Sequence, residues 1–128
     1  MRRGAGNHAA DNHVSGVVSN GATWYETFQI KDQNGDDVTG LTSDTFQFQF
    51  RSSEDDDSAE LTLSTTAGTL SVAESDGVTT VTINVPQSSI SSMDGDYVAD
   101  LVSKAASNSR LTHRAHGVVT FRNDPIAF

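Results

Sequence analysis

Apolar and polar residues alternate along most of this chain, in short runs that are separated by turn residues. Alternation with a period of two is typical of β-strands that bury one face. The clearest pair of runs lies between Thr23 and Arg51, around a turn at Asn34 and Gly35. We predict that these two strands form the nucleus of the core, with six large side chains on their inner faces: Trp24, Phe28, Ile30, Phe46, Phe48 and Phe50.

Further runs of the same kind follow at spacings of about eight to twelve residues, with turn residues between them. They lie near 61–63, 70–72, 81–85, 97–101 and 111–121. We also predict a short edge strand over 37–41 and one helical turn over 87–93, with Ile90 and Met93 pointing inward. Short strands at this spacing, without a convincing helical period, predict an all-β antiparallel sandwich of about seven to eight strands.

The first 22 residues have a different composition, in which Gly, Ala, Asn and Ser dominate. Their buriable apolar side chains are chiefly Val14, Val17 and Val18. A segment of this kind cannot bury enough surface to order itself, so a neighbouring chain is the simplest means of holding it. We therefore divide the chain into an extended N-terminal arm, residues 1–22, and a β-sandwich, residues 23–128.

Charge narrows the range of partners. The chain has 17 Asp and Glu against 8 Lys and Arg, a formal net charge of −9. A negative field repels nucleic acid and anionic membrane surfaces, so we expect neither as a partner. No apolar stretch is long enough for a transmembrane helix, and none follows Arg2 and Arg3 as in a secretory signal. The absence of cysteine excludes disulfides and thiolate metal sites, and it fits folding in a reducing cytoplasm.

The sequence has no constellation that predicts catalysis. It contains neither a Gly-x-Ser-x-Gly elbow nor a Gly-rich phosphate loop, so we expect no enzymatic activity and no cofactor. His113 and His116 have a spacing of three, which places them on opposite faces of a regular strand and disfavours a shared metal ion. The acidic run 54–57 lacks the spaced ligands and the glycine of a calcium loop, so we expect a solvated loop there.

The stretch 24–51 contains the pattern Phe-x-Ile-Lys-Asp-x-Asn-Gly, then Asp-x-Thr-Gly, then a strand of alternating apolar residues that ends near Arg51. Three later features follow in order: a Val-Thr-Ile-x-Val strand before Pro86, the segment Gly-Asp-Tyr-Val-Ala-Asp-Leu, and a final Gly-Val-Val-Thr-Phe strand. Over residues 24–122 this order resembles small Ig-like structural proteins of tailed bacteriophages. It is similar to the N-terminal domain of baseplate upper proteins and to free-standing virion proteins. The resemblance implies an Ig-like fold and a structural role in a virion, and it brings no catalytic residues.

From this resemblance we expect a non-enzymatic structural protein of a tailed-phage virion, made in the host cytoplasm. It would assemble through its sandwich and its arm with capsid or tail subunits and with further copies of itself. Placement on the tail or baseplate is favoured by the baseplate-like opening. Placement on the head, as a decoration or cement protein, is favoured by small size, acidic composition and a single free-standing domain.

Two hypotheses concern individual surface residues. For the assembly role, the expected partner-binding residues are Arg2, Arg3, Val14, Val17, Val18, Tyr25, Ile126 and Phe128. The alternative function is a carbohydrate-binding module for host attachment, with Trp24, Tyr25 and Tyr97 along a groove. Trp24 fits the core better than a groove, because it is in step with Phe28 and Ile30.

Overall fold

The computed structural model describes the backbone of residues 12–32, 34–55 and 58–123, and the side chains of these residues from Gly16 onward. This part of the chain forms eight strands and one short 3₁₀ turn at Gln87–Ser89. The strands are β1 (Asn12–Ser19), β2 (Trp24–Gln29), β3 (Thr45–Arg51), β4 (Leu61–Ser64), β5 (Leu70–Ser75), β6 (Val78–Val85), β7 (Gly95–Lys104) and β8 (Leu111–Arg122).

The strands form two packed sheets, which confirms the predicted all-β sandwich. The larger sheet has the order β1-β8-β7-β3-β4, and the smaller sheet has the order β2-β6-β5. Neighbouring strands are antiparallel in every pair except one, since β1 runs parallel to β8. Within the described ranges, no helix has the length and apolar character needed to cross a bilayer.

Strand β1 lies inside the range that we assigned to an extended arm. Its pairing with β8 begins at Asn12, opposite Ala115, and ends at Ser19, opposite Arg122. Backbone hydrogen bonding explains how a stretch so poor in apolar residues joins a sheet, because β8 supplies partners for its amide and carbonyl groups. Val18 adds an apolar contact, since its side chain is buried. The arm of 1–22 therefore contains a strand of the sandwich, and residues 1–11 lie outside the described part of the chain.

Aromatic side chains from both sheets meet in the core. Phe46, Phe48 and Phe50 on β3 are fully buried, as their alternation predicted. The Phe50 ring centroid lies 5.6 Å from that of Trp24 on β2 and 5.9 Å from that of Phe121 on β8. Edge-to-face contacts of this kind stabilise a core beyond the area that they bury. One aromatic cluster therefore connects the two sheets.

The stretch 37–41 does not form the predicted edge strand. It makes only an isolated bridge between Lys31 and Asp37, and Leu41 is buried. Hydrogen bonds to neighbouring strands replace a ladder here, since Thr79 donates its hydroxyl to the carbonyl of Val38. The amide of Gly40 also donates to Oε1 of Glu74, at 2.9 Å. The stretch is therefore a loop that is held against the smaller sheet.

Asn20 joins the corner between β1 and β2 to the rest of the sandwich. Its amide donates to the carbonyl of Arg122 at 2.9 Å, and its side-chain Nδ2 donates to the carbonyl of Met93 at 2.7 Å. Nε2 of Gln87 in turn donates to the carbonyl of Asn20, at 3.0 Å. Ile90 and Met93 are buried beside this corner, as predicted. The crossover from the larger to the smaller sheet is thus fixed by three hydrogen bonds.

Candidate functional site

A β-bulge interrupts strand β8 where it pairs with β7. Leu101 lies opposite Ala115 and Val102 lies opposite His113, so Arg114 is an extra residue in the register. A bulge of this kind shifts the alternation of side chains by one position. The residues on either side of Arg114 therefore keep facing the same way as their partners on β7.

The bulged Arg114 is itself buried. Its Nε donates to the hydroxyl of Ser103 on β7, at 2.9 Å. Burial lowers the pKa of the Arg114 guanidinium, and the negative charge of Asp44 offsets part of that effect. Arginine stays protonated nonetheless, because its ordinary pKa is far above neutral. The bulge thus places one cation against the inner side of the sheet.

The bulge brings both histidines to one carboxylate on the outer face of the larger sheet. Nδ1 of His116 lies 2.7 Å from Oδ1 of Asp100, and Nε2 of His113 lies 3.4 Å from the same oxygen. The prediction that the two histidines face opposite sides is wrong, because a spacing of three separates the faces only in a regular strand. The extra residue between them restores a common face.

The second oxygen of Asp100 is bound by an arginine. Nη2 of Arg51 on β3 donates to Oδ2 at 2.6 Å, and the Asp100 side chain is only 10% exposed. Glu54 lies at the periphery, with Oε2 3.8 Å from Nε2 of His116 and a side chain that is 72% exposed. We call Arg51, Asp100, His113 and His116 the Asp100 cluster. It connects strands β3, β7 and β8 across the outer face.

The electrostatics of the cluster favour a charged carboxylate. Burial raises the pKa of Asp100, but hydrogen bonds from His116 and from Arg51 lower it, and so do the charges of His116 and His113. The hydrogen bonds and charges together outweigh the effect of burial, so the pKa of Asp100 lies below its ordinary value. A carboxylate in this setting accepts hydrogen bonds and holds its neighbours in place.

The Asp100 cluster is suited to linking β7 to its neighbours β3 and β8 through side-chain contacts. The two ring nitrogens of His116 face the carboxyl groups of Asp100 and Glu54. Among the described side chains, no group of three or more histidine, cysteine and acidic residues could hold a metal ion. The two histidines contact the Asp100 oxygen from the neighbouring strand, as in cross-strand pairs that stabilise sheets.

The predicted partner-binding residues differ in exposure, and some of them lie outside the described part of the chain. Val17 and Tyr25 are 61% and 66% exposed, whereas Val18 is buried, and its surface is not accessible to a partner. The backbone of Val14 pairs with Gly117 in the β1–β8 register. The remaining four lie outside the described residues: Arg2, Arg3, Ile126 and Phe128. The structure brings none of the described ones together, since Val17 is on the larger sheet and Tyr25 on the smaller.

Sequence reasoning did not single out Arg51 and Asp100 as a pair. Asp100 has a visible signal, because it is the one acidic residue within the otherwise apolar run 97–102 of β7. Such a residue is rarely buried without a partner. Arg51 has no comparable signal, since it ends its strand and looks like an ordinary surface residue. The pair depends on register between strands that lie 49 residues apart in the chain.

Comparison with known proteins identifies no family for this chain. No family model matches this sequence, and no curated protein matches it. Among solved structures, the chain is similar to a family 123 glycoside hydrolase from Clostridium perfringens, described in a study of glycolipid glycan hydrolysis. The match has a TM-score of 0.33 and 11% sequence identity, and it covers 89% of this chain. The chain spans 23% of that enzyme's length, and such a TM-score carries no conclusion about activity.

Proposed function

We propose that this chain is a non-enzymatic structural protein of a tailed-phage virion, which assembles through its sandwich and its N-terminal segment. The ordered motifs of residues 24–122 support this proposal by their resemblance to such proteins. The eight-stranded sandwich is compatible with it. Its partners are capsid or tail subunits and further copies of the same chain.

The observation that carries the proposal is the position of β1. Among the described strands, this one is the outermost of the larger sheet, so one side of its backbone faces β8 and the other side faces away from the described part of the sheet. An edge strand presents amide and carbonyl groups that an extended segment of another chain can pair with. Val17, 61% exposed on this strand, adds an apolar contact. The N-terminal segment thus offers both backbone and side-chain contacts to a neighbour.

Two placements on the particle remain within the proposal, the tail or baseplate and the head. Co-sedimentation distinguishes them, with purified protein added separately to isolated heads and to isolated tails that lack it. Saturable binding to heads identifies a decoration protein, and binding to tails alone identifies a tail or baseplate component. Binding to neither preparation would overturn the proposal.

A matched pair of variants tests the role of β1. Val17→Glu places a charge on the edge strand, and we expect it to reduce binding to the particle at least about tenfold, since a buried charge without a partner is unfavourable. Leu111→Glu is the control, because Leu111 is 66% exposed but lies at the start of β8, away from the paired part of β1. Equal loss in both variants, or loss in neither, would contradict a contact through β1.

A further inference from the structure

Within strands β2, β5 and β6, the outer face of the smaller sheet has no charged side chain. Strands β2, β5 and β6 contain only two charged residues, Glu26 and Glu74. Both lie in step with the residues of these strands that face the core, and each accepts a hydrogen bond. Oε1 of Glu26 accepts from Nε1 of Trp24 at 2.9 Å, and Oε1 of Glu74 accepts from the amide of Gly40 at 2.9 Å. The opposite positions on these strands are uncharged throughout.

Register arranges these uncharged residues in rows. Tyr25 lies opposite Asn84, and the next row runs from Thr27 through Thr82 to Ser71. All are exposed or half-buried, and the Tyr25 side chain is 66% exposed. We call this surface the uncharged face, and its principal residues are Tyr25, Thr27, Ser71, Thr80, Thr82 and Asn84.

The uncharged face contrasts with the rest of the molecule. One residue in five in this chain is charged. The corresponding face of the larger sheet carries the Asp100 cluster, with Lys104 and Arg122 on the same strands. A ligand on the uncharged face therefore meets hydroxyl and amide groups and one aromatic ring, without an ion pair.

The size of the face decides between a protein partner and a smaller ligand. Three strands about 4.8 Å apart and about 20 Å long give a surface of roughly 300 Å². A stable protein interface needs about 800 Å² from each partner, so this face is too small to hold a second protein chain by itself. A surface of this size suits a ligand that is smaller than a protein chain.

We propose that the uncharged face binds a neutral carbohydrate chain, a function beyond the assembly role. Each serine and threonine hydroxyl offers one donor and two acceptor positions, and Asn84 offers two donors and an acceptor, which match sugar hydroxyls. The ring of Tyr25 offers an apolar surface for a sugar ring to stack on, at one end of the uncharged face. Anionic sugars are disfavoured, because the six residues that define the face include no cation and the chain has a net charge of −9.

Titration calorimetry of the whole protein tests this proposal. The probes are three neutral hexasaccharides, of glucose in β-1,4 linkage, of glucose in α-1,4 linkage and of N-acetylglucosamine, together with anionic hexagalacturonate. We expect binding to at least one neutral probe and none to the anionic one. Tyr25→Ala should weaken that binding about tenfold, and Thr82→Asp should weaken it at least as much, because an aspartate would displace hydroxyl contacts at the centre of the uncharged face.

Gln47→Asp is the matched control, since it adds the same charge on the exposed outer face of the larger sheet. Circular dichroism of each variant establishes that it is folded. Binding that is equally weakened by Gln47→Asp, or unaffected by both face variants, would overturn the proposal. So would the absence of binding to every neutral probe. Self-association in sedimentation that Thr82→Asp abolishes would assign the face to a second copy and would equally overturn it.

Discussion

Arg51 and Asp100 occupy diagonal positions on adjacent strands, with Nη2 of the arginine 2.6 Å from Oδ2 of the aspartate. Arg51 is paired in register with Val98 and Asp100 with Gln49, so the guanidinium reaches along its strand to the carboxylate. The same carboxylate meets two histidines from β8 through its other oxygen. A single side chain is thus the common partner of residues from two flanking strands.

Asp100→Asn should lower the free energy of unfolding at pH 7 by about 1–3 kcal/mol, because hydrogen bonds to a charged group are lost. The pKa of Asp100 is lowered in the folded protein, so its contribution is present above the ordinary value of 3.8 and is lost as pH falls through the lower folded value. Urea unfolding at pH 7, 5 and 3 should therefore show a gap between wild type and variant that shrinks towards acid pH.

Asp96→Asn serves as the control for that experiment. Asp96 is an exposed carboxylate on the same strand and accepts a hydrogen bond of 2.6 Å from the Thr120 hydroxyl. We expect an effect within about 0.5 kcal/mol, as is usual for exposed positions. Equal effects of the two variants at pH 7 would show that the Asp100 cluster adds no stability of its own.

Both histidines should be energetically coupled to Asp100. Double-mutant cycles that combine Asp100→Asn with His116→Ala or with His113→Ala measure this coupling at pH 6. We expect about 0.5–1 kcal/mol for His116, at 2.7 Å, and a smaller value for His113, at 3.4 Å and 42% exposed. A cycle with Lys104→Ala should be additive. The bulge at Arg114 places both histidines on the same face as Asp100. Coupling of Asp100 to only one of them would therefore contradict the bulge.

The turn between β5 and β6 requires glycine at its second position. Asp76 and Gly77 both have positive φ, of 54° and 79°, as tight hairpins require. Gly77→Ala should reduce stability by about 1–2 kcal/mol through backbone strain alone, since nothing lies within 4 Å of an added Cβ. Gly16→Ala also meets open space but has no positive φ, so its melting temperature should stay near the wild-type value.

Phe50→Ala should reduce stability by about 3–5 kcal/mol, because it empties the centre of the aromatic cluster. Phe50 is fully buried, and its ring contacts Trp24 and Phe121. Trp24 fluorescence should shift to longer wavelength as the adjacent space admits water. Leu111→Ala, at a position 66% exposed, is the control and should change stability by about 0.5 kcal/mol or less. A loss in Phe50→Ala no larger than in that control would contradict a core centred on Phe50.

Much of the fold could be predicted from alternation alone. Phe46, Phe48 and Phe50 follow a period of two, and the Asp-Gly turn marks a hairpin, so local chemistry specifies these elements. Strand β1 could not be predicted in this way. It has few apolar side chains, and it depends on backbone hydrogen bonds to a strand about 100 residues later in the chain.

The candidate site was harder to predict for a related reason. The faces of His113 and His116 depend on one extra residue in β8, and the amino-acid sequence of β8 gives no local sign of a bulge at Arg114. The loop over 37–41 shows the same limitation. Its alternation suits a strand, but it is held by single hydrogen bonds to Thr79 and Glu74. In both regions, contacts between segments that are distant in the sequence determine the local structure.

The parallel course of β1 and β8 places the start of β1 and the end of β8 at opposite ends of this strand pair. Strand β1 begins at Asn12, beside Ala115, and β8 ends at Arg122, beside Ser19. These points are separated by seven residues of strand, or about 23 Å. A force applied at the start of β1 and at the end of β8 would thus act at opposite ends of this strand pair. Such a force would load β1 and β8 in shear, the direction in which the ladder hydrogen bonds of the eight paired positions resist together.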